Sequence, residues 1–325
     1  MPGYISIYAL LPRQAGGKLL SDPLTRLAFL LLLVFSVPVG THHQYMDPGI
    51  SPVIKGIVTG LTLSVAVPSL ITAFTIAISL EYAGRKRGGR GWLGWWTALP
   101  WDDPVVAAQV LALVTFIFGG AGGIVNASWQ LDAVVHNTIW IPGHFHLTVG
   151  TMTALVFMGI SYWLLPHLTG RKLYSRKLAL ASTWLYFIGM LVFSVGMHWG
   201  GLDGVPRRAW ISSLPADQFA SLYGADKIPL ALAGIGGMIL ALASIAFYIV
   251  FWGTLFGKRD QRAGESVVPF AEVLVGPEGS TIARISDKFL FWTVFTLVIT
   301  LAVYIPVLWV MFQHPVHAIG MKGIW

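Results

Sequence analysis

Four histidines stand in two close pairs, His42-His43 and His144-x-His146, at the ends of long apolar segments in a chain with only 11% charged residues. A metal-ligating or ionisable side chain at membrane depth marks a functional site by default, because its cost in hydrocarbon has to be met by a partner or a ligand. Imidazole suits copper, iron and zinc. Successive residues of an α-helix lie about 100° apart, so positions two apart project toward nearly opposite sides. His144 and His146 therefore cannot easily share one ion, and suit two cofactors, one on each side of a helix. His42 and His43 lie about 100° apart at an expected helix end, so both can turn toward one ion. The pattern describes three metal centres served by two histidine pairs. With no cysteine in the chain, disulfides, thiolate ligands and iron-sulfur clusters are excluded for it, which favours haem or histidine-bound copper.

The elements that must position these residues are membrane helices. At 325 residues and 55% hydrophobic, with a mean hydropathy of +0.71, the composition is that of a polytopic membrane protein rather than a soluble domain. Seven weakly charged runs, 27–43, 56–80, 105–125, 139–166, 178–198, 228–256 and 289–312, are long enough for a hydrocarbon core of roughly 30 Å. All should be helices, since an open sheet leaves backbone groups unpaired in lipid. The expected fold is an all-α polytopic bundle, one membrane domain over 1–325, with no tandem repeat and no low-complexity tract.

Basic residues orient the bundle. Of 21 Lys and Arg, all but Lys55, Arg207, Arg208, Lys227 and Lys322 fall in alternate loops, which the positive-inside rule puts on the cytoplasmic side. The N-terminus is then cytoplasmic, the C-terminus external, and both histidine pairs lie toward the outer face. The net charge of +7 reports topology and gives no reason to expect nucleic acid. Pro2 to Leu11 holds no basic residue ahead of Arg13, so the first span is expected to act as its own insertion signal.

The loops and one stripe carry the remaining polar chemistry. The outer segment 121–146 gathers Asn126, Asp132, His136 and Asn137 beside glycine pairs that permit close backbone approach. Arg207 and Arg208, on the same outer side, run against the charge bias and call for an anionic partner such as haem propionates. Plainer roles stand beside these: Asp132 and His136 at i and i+4 could pin their loop, and the arginines could pair with Asp203 or lipid headgroups. On the second span Ser69, Thr72 and Thr75 share a face, and Tyr4 and Tyr8 are one turn apart. Such hydroxyls can relay protons through trapped water, or simply bond back to their own helix. Trp92, Trp95, Trp96 and Trp101 read as a cytoplasmic interfacial belt.

From about Tyr4 onward, through IYALLPRQAGGKLLSDPLTRLAFLL, GTHHQYMDPGI, VPSLITAFT, GGAGGIVNASWQLDAVVHNTIWIPGHFHL and GLDGVPRRA, the chain resembles catalytic subunit I of the haem-copper terminal oxidases. The likeness is greatest to the b-type branch, with a low-spin haem b and a high-spin a-type haem. The resemblance implies that His42 and His43 are two of three ligands of an active-site copper, His144 the proximal ligand of the high-spin haem, and His146 one axial ligand of the low-spin haem. It also implies that Asn126, Asp132 and His136 belong to the outer region near the high-spin haem propionates, that Arg207 and Arg208 bridge propionates of both haems, and that Tyr4, Tyr8, Ser69, Thr72 and Thr75 resemble a proton path. The family reduces dioxygen to water with electrons that cytochrome c delivers through a copper site on subunit II, coupled to proton translocation; this chain is expected to be integral to a bacterial or archaeal plasma membrane.

Family members carry about six further helices upstream, with the third copper histidine, its linked tyrosine and the second low-spin axial ligand. The chain therefore reads as the C-terminal portion of such a subunit, expected to be inactive alone and to need the N-terminal half as a partner. His167 and His314 lie outside the motifs and remain unassigned. Nitric oxide reductase, with non-haem iron in place of copper, is the nearest alternative. A proton transporter without redox cofactors, or an assembly remnant, stands further off, since neither broken helices nor central carboxylates are evident.

Overall fold

The structure is a computed structural model that describes residues 2–40, 42, 45–46, 50–208, 215–224, 226–259 and 270–313. Among them seven helical stretches are long and apolar enough to cross a bilayer, Asp22–Val39, Pro52–Lys86, Pro104–Ala127, Trp140–Thr169, Arg176–Leu202, Lys227–Leu255 and Phe289–Val310. Each coincides with one of the expected apolar runs.

In chain order the helices are α1 (Pro2–Ala9), α2 (Leu11–Gln14), α3 (Asp22–Ser36), α4 (Pro52–Ser64), α5 (Ala66–Lys86), α6 (Gly94–Thr97) and α7 (Pro104–Ala127). They continue as α8 (Trp129–Val135), α9 (Trp140–Phe145), α10 (Ala154–Thr169), α11 (Arg176–Leu202), α12 (Ala216–Tyr223), α13 (Lys227–Leu255), α14 (Thr281–Ser286) and α15 (Phe289–Gln313). Local chemistry sets several boundaries. The first apolar run extends to residue 43, yet α3 stops at Ser36 and tightens into a 3-10 turn at Val37–Val39, because Pro38 has no N–H with which to continue the ladder. The second run is continuous in hydropathy but divides at Val65. Pro68 cannot donate to the carbonyl of Ser64, and its ring crowds that turn. Ser51, Ser175 and Ser280 cap α4, α11 and α14 by accepting from Ile54 N at 3.3 Å, Leu178 N at 3.1 Å and Ala283 N at 3.3 Å.

The chain forms two compact units. The first comprises Met1–Asp22, Ala73–Gly123 and Val134–Gly276. Its broadest helix contact joins α11 to α13, and small residues let the two backbones meet. A Cβ at Gly196 would lie 2.5 Å from the Pro229 carbonyl oxygen, one at Gly189 would lie 2.9 Å from Ile239 Cγ2, and one at Gly236 would overlap the Phe193 backbone. Helices in lipid gain no hydrophobic drive toward each other, so close backbone approach and dispersion must supply the attachment.

This unit also holds a short parallel strand pair, β1 (Leu19–Ser21) and β2 (Val273–Val275), in register Leu19 to Val273 and Ser21 to Val275. It was absent from the all-helical expectation, because strands of three residues carry no readable periodicity. The pairing lies outside the spans. Leu19 N donates to the Glu272 carbonyl at 2.7 Å, Leu20 N donates to Ser79 Oγ on α5 at 2.9 Å, and Lys18 Nζ sits 2.8 Å from the Glu272 carboxylate.

The second unit comprises Pro23–Thr72, Ile124–Ala133 and Pro277–Trp325. Its core of Val39, Tyr45, Val58 and Val303 is backed by Ile54, Leu61, Ile299 and Tyr304. Gly40 packs directly against the Tyr304 hydroxyl, where no Cβ could fit. Lys55 explains its own place on the sparsely basic side, donating from Nζ to the Tyr45 carbonyl. Trp129 Nε1 donates to Thr59 Oγ1 at 2.7 Å and its ring lies 6.3 Å from that of Tyr45. These contacts hold the turn that carries His42.

Two outcomes are expected. Gly236→Ala destabilises the α11–α13 pair by about 1–3 kcal/mol, the usual cost of overpacking, whereas Gly234→Ala, with nothing within 4 Å of its Cβ, does not; unfolding of the purified chain in mixed detergent reads the difference. The exposed Lys18–Glu272 pair gives a small, salt-sensitive contribution. Hydrogen bonding to Lys18 and its charge hold the Glu272 carboxyl below its ordinary 4.5, and the same contacts hold Lys18 above 10.5. Support for the strand pair is thus complete between those values, lost as pH falls below 4.5 and lost again as pH rises above 10.5. Hydrogen exchange at Leu19 N–H should quicken at both ends, and Glu272→Gln should abolish the acid limb.

Candidate functional site

The segment that carries His144 and His146 is irregular. α9 ends at Phe145 and a π-helical stretch, His146–Thr153, follows before α10 resumes the α ladder. Thr151 marks the wider turn by donating from Oγ1 to the His146 carbonyl, five residues back, at 2.5 Å. Runs of i→i+5 bonding occur mostly as insertions at functional sites, where they re-aim side chains.

The two rings face different helices of the first unit. His144 is buried, at 6% exposure, and turns toward α7: a Cβ at Gly122 would stand 2.6 Å from its Nδ1 and one at Gly123 would stand 3.7 Å from its Cε1. Only glycine at 122 admits the ring. His146 turns toward α11, its ring centroid 4.7 Å from that of Phe193, while a Cβ at Gly150 would meet its Cδ2 at 3.4 Å. His146 Nδ1 donates to the Pro142 carbonyl at 2.6 Å. That bond orients the imidazole and leaves Nε2 as the ring's acceptor nitrogen, an arrangement that suits a metal-bound histidine. The projection toward opposite sides, deduced from spacing alone, is the projection found.

Sequence reasoning undervalued two further side chains. Trp140 lies nearly parallel to His144, with centroids 6.1 Å apart at 11°, and its ring meets that of His198 edge-on at 4.9 Å. His198 Nδ1 bonds the Ser194 carbonyl at 2.7 Å, Ser194 Oγ donates to the Gly143 carbonyl at 2.9 Å, and a Cβ at Gly143 would meet His198 Nδ1 at 2.9 Å. α11 thus buttresses α9. A readable signal did exist: Gly119, Gly122 and Gly123 recur at helical i, i+3 and i+4 spacing, and Gly119 packs on Thr148 as Gly122 packs on His144.

Above this segment Asn137 and Arg208 both adopt left-handed backbone, each at φ 59°. The turn is tied to the one after α11 through a bridge between Thr138 and Pro206. Arg207 N donates to the Asn137 carbonyl at 2.9 Å and its guanidinium donates to Asn137 Oδ1 at 3.1 Å. Asn137 therefore orients Arg207. His136 is half-buried at the start of the same turn.

In the second unit, His42 follows the 3-10 turn and donates from its backbone N to the Val39 carbonyl at 3.1 Å. Burial pushes its imidazole down to about 4, so it is neutral at physiological pH, the form that binds a metal. Its expected companion His43 lies outside the described residues. Tyr45, two positions on, is buried at 2% exposure, and that burial raises its phenol above the ordinary value. Asn126 and Asp132 are buried too, at 1% and 0% exposure, with Asp132 in the first turn of α8, where a carboxylate suits the helix dipole. Among the described residues no three His, Asp or Glu side chains stand close enough to enclose a metal. Single imidazoles with glycine-lined approaches, as at His144 and His146, suit axial ligation of a haem.

The hydroxyl stripe divides. Ser69 Oγ and Thr72 Oγ1 donate back to the carbonyls of Val65 and Pro68, at 2.9 Å and 2.8 Å. Thr75 Oγ1 is buried without a hydrogen-bond partner, next to a Ser79 hydroxyl that bonds the Thr75 carbonyl at 2.6 Å. Tyr8 is buried, and Tyr4 meets Phe116 edge-on at 5.8 Å. Between them Ser6 Oγ donates to Gln109 Oε1 at 2.9 Å, inside the first unit.

Seven spans and a π-helical segment from which two imidazoles face different helices define an integral membrane protein with a polar centre built between its helices. Comparison with known proteins then gives the family: residues 1–225 match the model described as Cytochrome C and Quinol oxidase polypeptide I, and the chain belongs to that family. It is 50% identical over 317 residues to cytochrome c oxidase subunit 1 of Thermus thermophilus, covering 97% of this chain and 56% of that protein. It is 27% identical over 242 residues to cytochrome c oxidase polypeptide 1 of Halobacterium salinarum, covering 73% and 36%. A haem-copper terminal oxidase dimer determined by cryo-EM superimposes with a TM-score of 0.85 at 35% identity, covering 95% of this chain and 54% of that one. The chain spans about half the length of the Thermus protein and of the cryo-EM chain, and about a third of the Halobacterium protein.

Gly122→Ala should weaken any iron bond made through His144 by about 10- to 100-fold, as loss of a supporting contact around a ligand does. Gly120→Ala, whose Cβ would meet nothing within 4 Å, should not. Haem absorbance per chain in purified membranes distinguishes them.

Proposed function

We propose that this chain forms part of the catalytic subunit I of a respiratory haem-copper oxidase, which reduces dioxygen to water with electrons from cytochrome c, received through subunit II, and translocates protons across a bacterial or archaeal plasma membrane. The observation that carries the reading is the pair of imidazoles facing α7 and α11 from one helical segment, in a chain of this family. His144 would hold the iron of a high-spin a-type haem and His146 one axial position of a low-spin haem b, while His42 and His43 supply two copper ligands. Completion of both sites draws on the rest of subunit I. The bound haems and copper supply electron transfer and dioxygen reduction.

The chain's own residues do the positioning. Pro142 fixes the His146 ring through its carbonyl, Gly122 and Gly123 admit the His144 ring, and Trp140 with His198 fills the space behind it. Asn137 holds the Arg207 guanidinium forward, which with Arg208 suits propionate carboxylates by charge-assisted bonding. Asn126, Asp132 and His136 are assigned to the same outer region. On the other side Tyr4, Tyr8, Ser69, Thr72 and Thr75 are assigned to proton entry. Of the three on the stripe, Thr75, whose hydroxyl does not bond back to its own helix, is the best-placed donor, while Ser69 and Thr72 must give up a bond to take part. The excess of Lys and Arg in alternate loops orients the N-terminus to the cytoplasm and the C-terminus outward.

The decisive measurement is a reduced-minus-oxidised spectrum, with metal analysis, of membranes containing this chain and its partner subunits. His146→Ala should remove the low-spin band and spare the high-spin one, His144→Ala should do the reverse, and each should lower oxygen uptake by about 100-fold or more. Loss of both bands together, or of neither, contradicts the assignment; iron in place of copper would transfer it to nitric oxide reduction.

A further inference from the structure

At the far end of α10 from the histidines, two arginines are brought face to face. α10 closes at Gly170, in left-handed conformation at φ 63°, with Gly170 N donating to the Pro166 carbonyl at 2.9 Å. The chain then turns so that Arg171 pairs antiparallel with Arg259, just past the end of α13. Residues opposed in this way project side chains to the same side with Cβ atoms about 4.5–5.5 Å apart, and like charges so placed repel. Nearby Arg176 is neutralised by Asp102 and Asp103, at 3.1 Å and 3.6 Å. Among the described residues Arg171 and Arg259 have no such acidic neighbour.

Burial sharpens the problem. Arg171 Nε is shielded from solvent and makes no hydrogen bond, and the same is true of His167 Nε2 in the last turn of α10, whose ring stacks on Trp163 at 4.7 Å and 18°. Arg Nε always carries a hydrogen, and a shielded donor without an acceptor is costly, so this one, on an arginine paired with a second cation, describes a place that suits an anion. The surroundings are apolar. Tyr174 lies over Gly253, where a Cβ would meet its Cγ at 2.5 Å, and stays 59% exposed. Trp252 stacks on Phe256 at 5.8 Å, with exposures of 49% and 77%, and Leu168 is 67% exposed. Thr169 and Leu255 end their spans here, so the cations sit at the bilayer boundary and the exposed rings extend from it along α13.

The geometry points to an anionic phospholipid bound at this end of the first unit, its phosphate gripped by Arg171 and Arg259 and completed by His167, its acyl chains lying against Trp252, Phe256 and Leu168. A guanidinium pair matches phosphate oxygens in plane and charge, and basic recesses between membrane helices are a recognised form of headgroup site. A free phosphate would use the cations but not the rings. The site does not depend on which cofactors the histidines hold.

The test uses the full chain with its partner subunits in nanodiscs of phosphatidylcholine doped with brominated phosphatidylglycerol or brominated phosphatidylcholine. Tryptophan quenching and native mass spectrometry should show a preference for the anionic lipid of about tenfold. Arg259→Gln, an exposed position, should reduce it severalfold, and Arg171→Gln with Arg259→Gln should abolish it, while Arg85→Gln, which removes an ion pair to Glu81 elsewhere, should leave it intact. Inorganic phosphate at 10 mM-scale excess, roughly a hundredfold over lipid, should not displace the lipid. Displacement by phosphate, equal retention of both lipids by the parent chain, or an unchanged preference in Arg259→Gln would each overturn the proposal. Because every readout is a ratio between lipids on one preparation, a poorly folded double variant leaves the single variant to decide.

Discussion

A backbone in hydrocarbon has to satisfy its own hydrogen bonds, and everything in this protein is arranged around that constraint. It makes every span helical, and it makes any departure from the α ladder expensive unless neighbours or side chains take up the displaced groups. The π-helical stretch at His146–Thr153 is such a departure. It is sustained by the Thr151 hydroxyl reaching the His146 carbonyl and by packing against α7 and α11. Two imidazoles leave the segment in opposite directions at the point where the ladder changes pitch.

Glycine is the second recurrent device. Where a ring or a helix must come close, the chain gives up a Cβ: at Gly122 for His144, at Gly143 for His198, and at Gly189, Gly196 and Gly236 for α11 against α13. The same residue serves the His42 turn, where Gly40 admits the Tyr304 hydroxyl. Hydrophobic association is weak between helices already in lipid, so these approaches do the work that burial from water does in soluble folds.

Polar groups near the ends of the spans are likewise explained by local partners. Lys55 sits on the sparsely basic side because it closes the Tyr45 loop, and Arg207 is set by Asn137 in a left-handed turn. Arg171 and Arg259 are the contrast, cations opposed at the membrane boundary with no acid among the described residues to separate them. A membrane protein can leave such a pair in place because the bilayer itself supplies anions.

The seven spans were legible because hydropathy over about 20 residues is a local property, and so was the opposite projection of His144 and His146, which follows from helical pitch. The capping serines and Pro38 were equally open to reading. What no local pattern carries is contact between distant residues: the strand pair at Leu19–Ser21 and Val273–Val275, the closeness of Gly122 to His144, the Trp140–His198 contact, the Arg207–Asn137 bond and the pairing of Arg171 with Arg259. The division of the hydroxyl stripe is of the same kind, since spacing puts Ser69, Thr72 and Thr75 on one face but only packing determines which hydroxyl bonds back to its helix. Periodicity along a chain specifies which face a side chain occupies; which residue waits on the other side is fixed only when the helices meet.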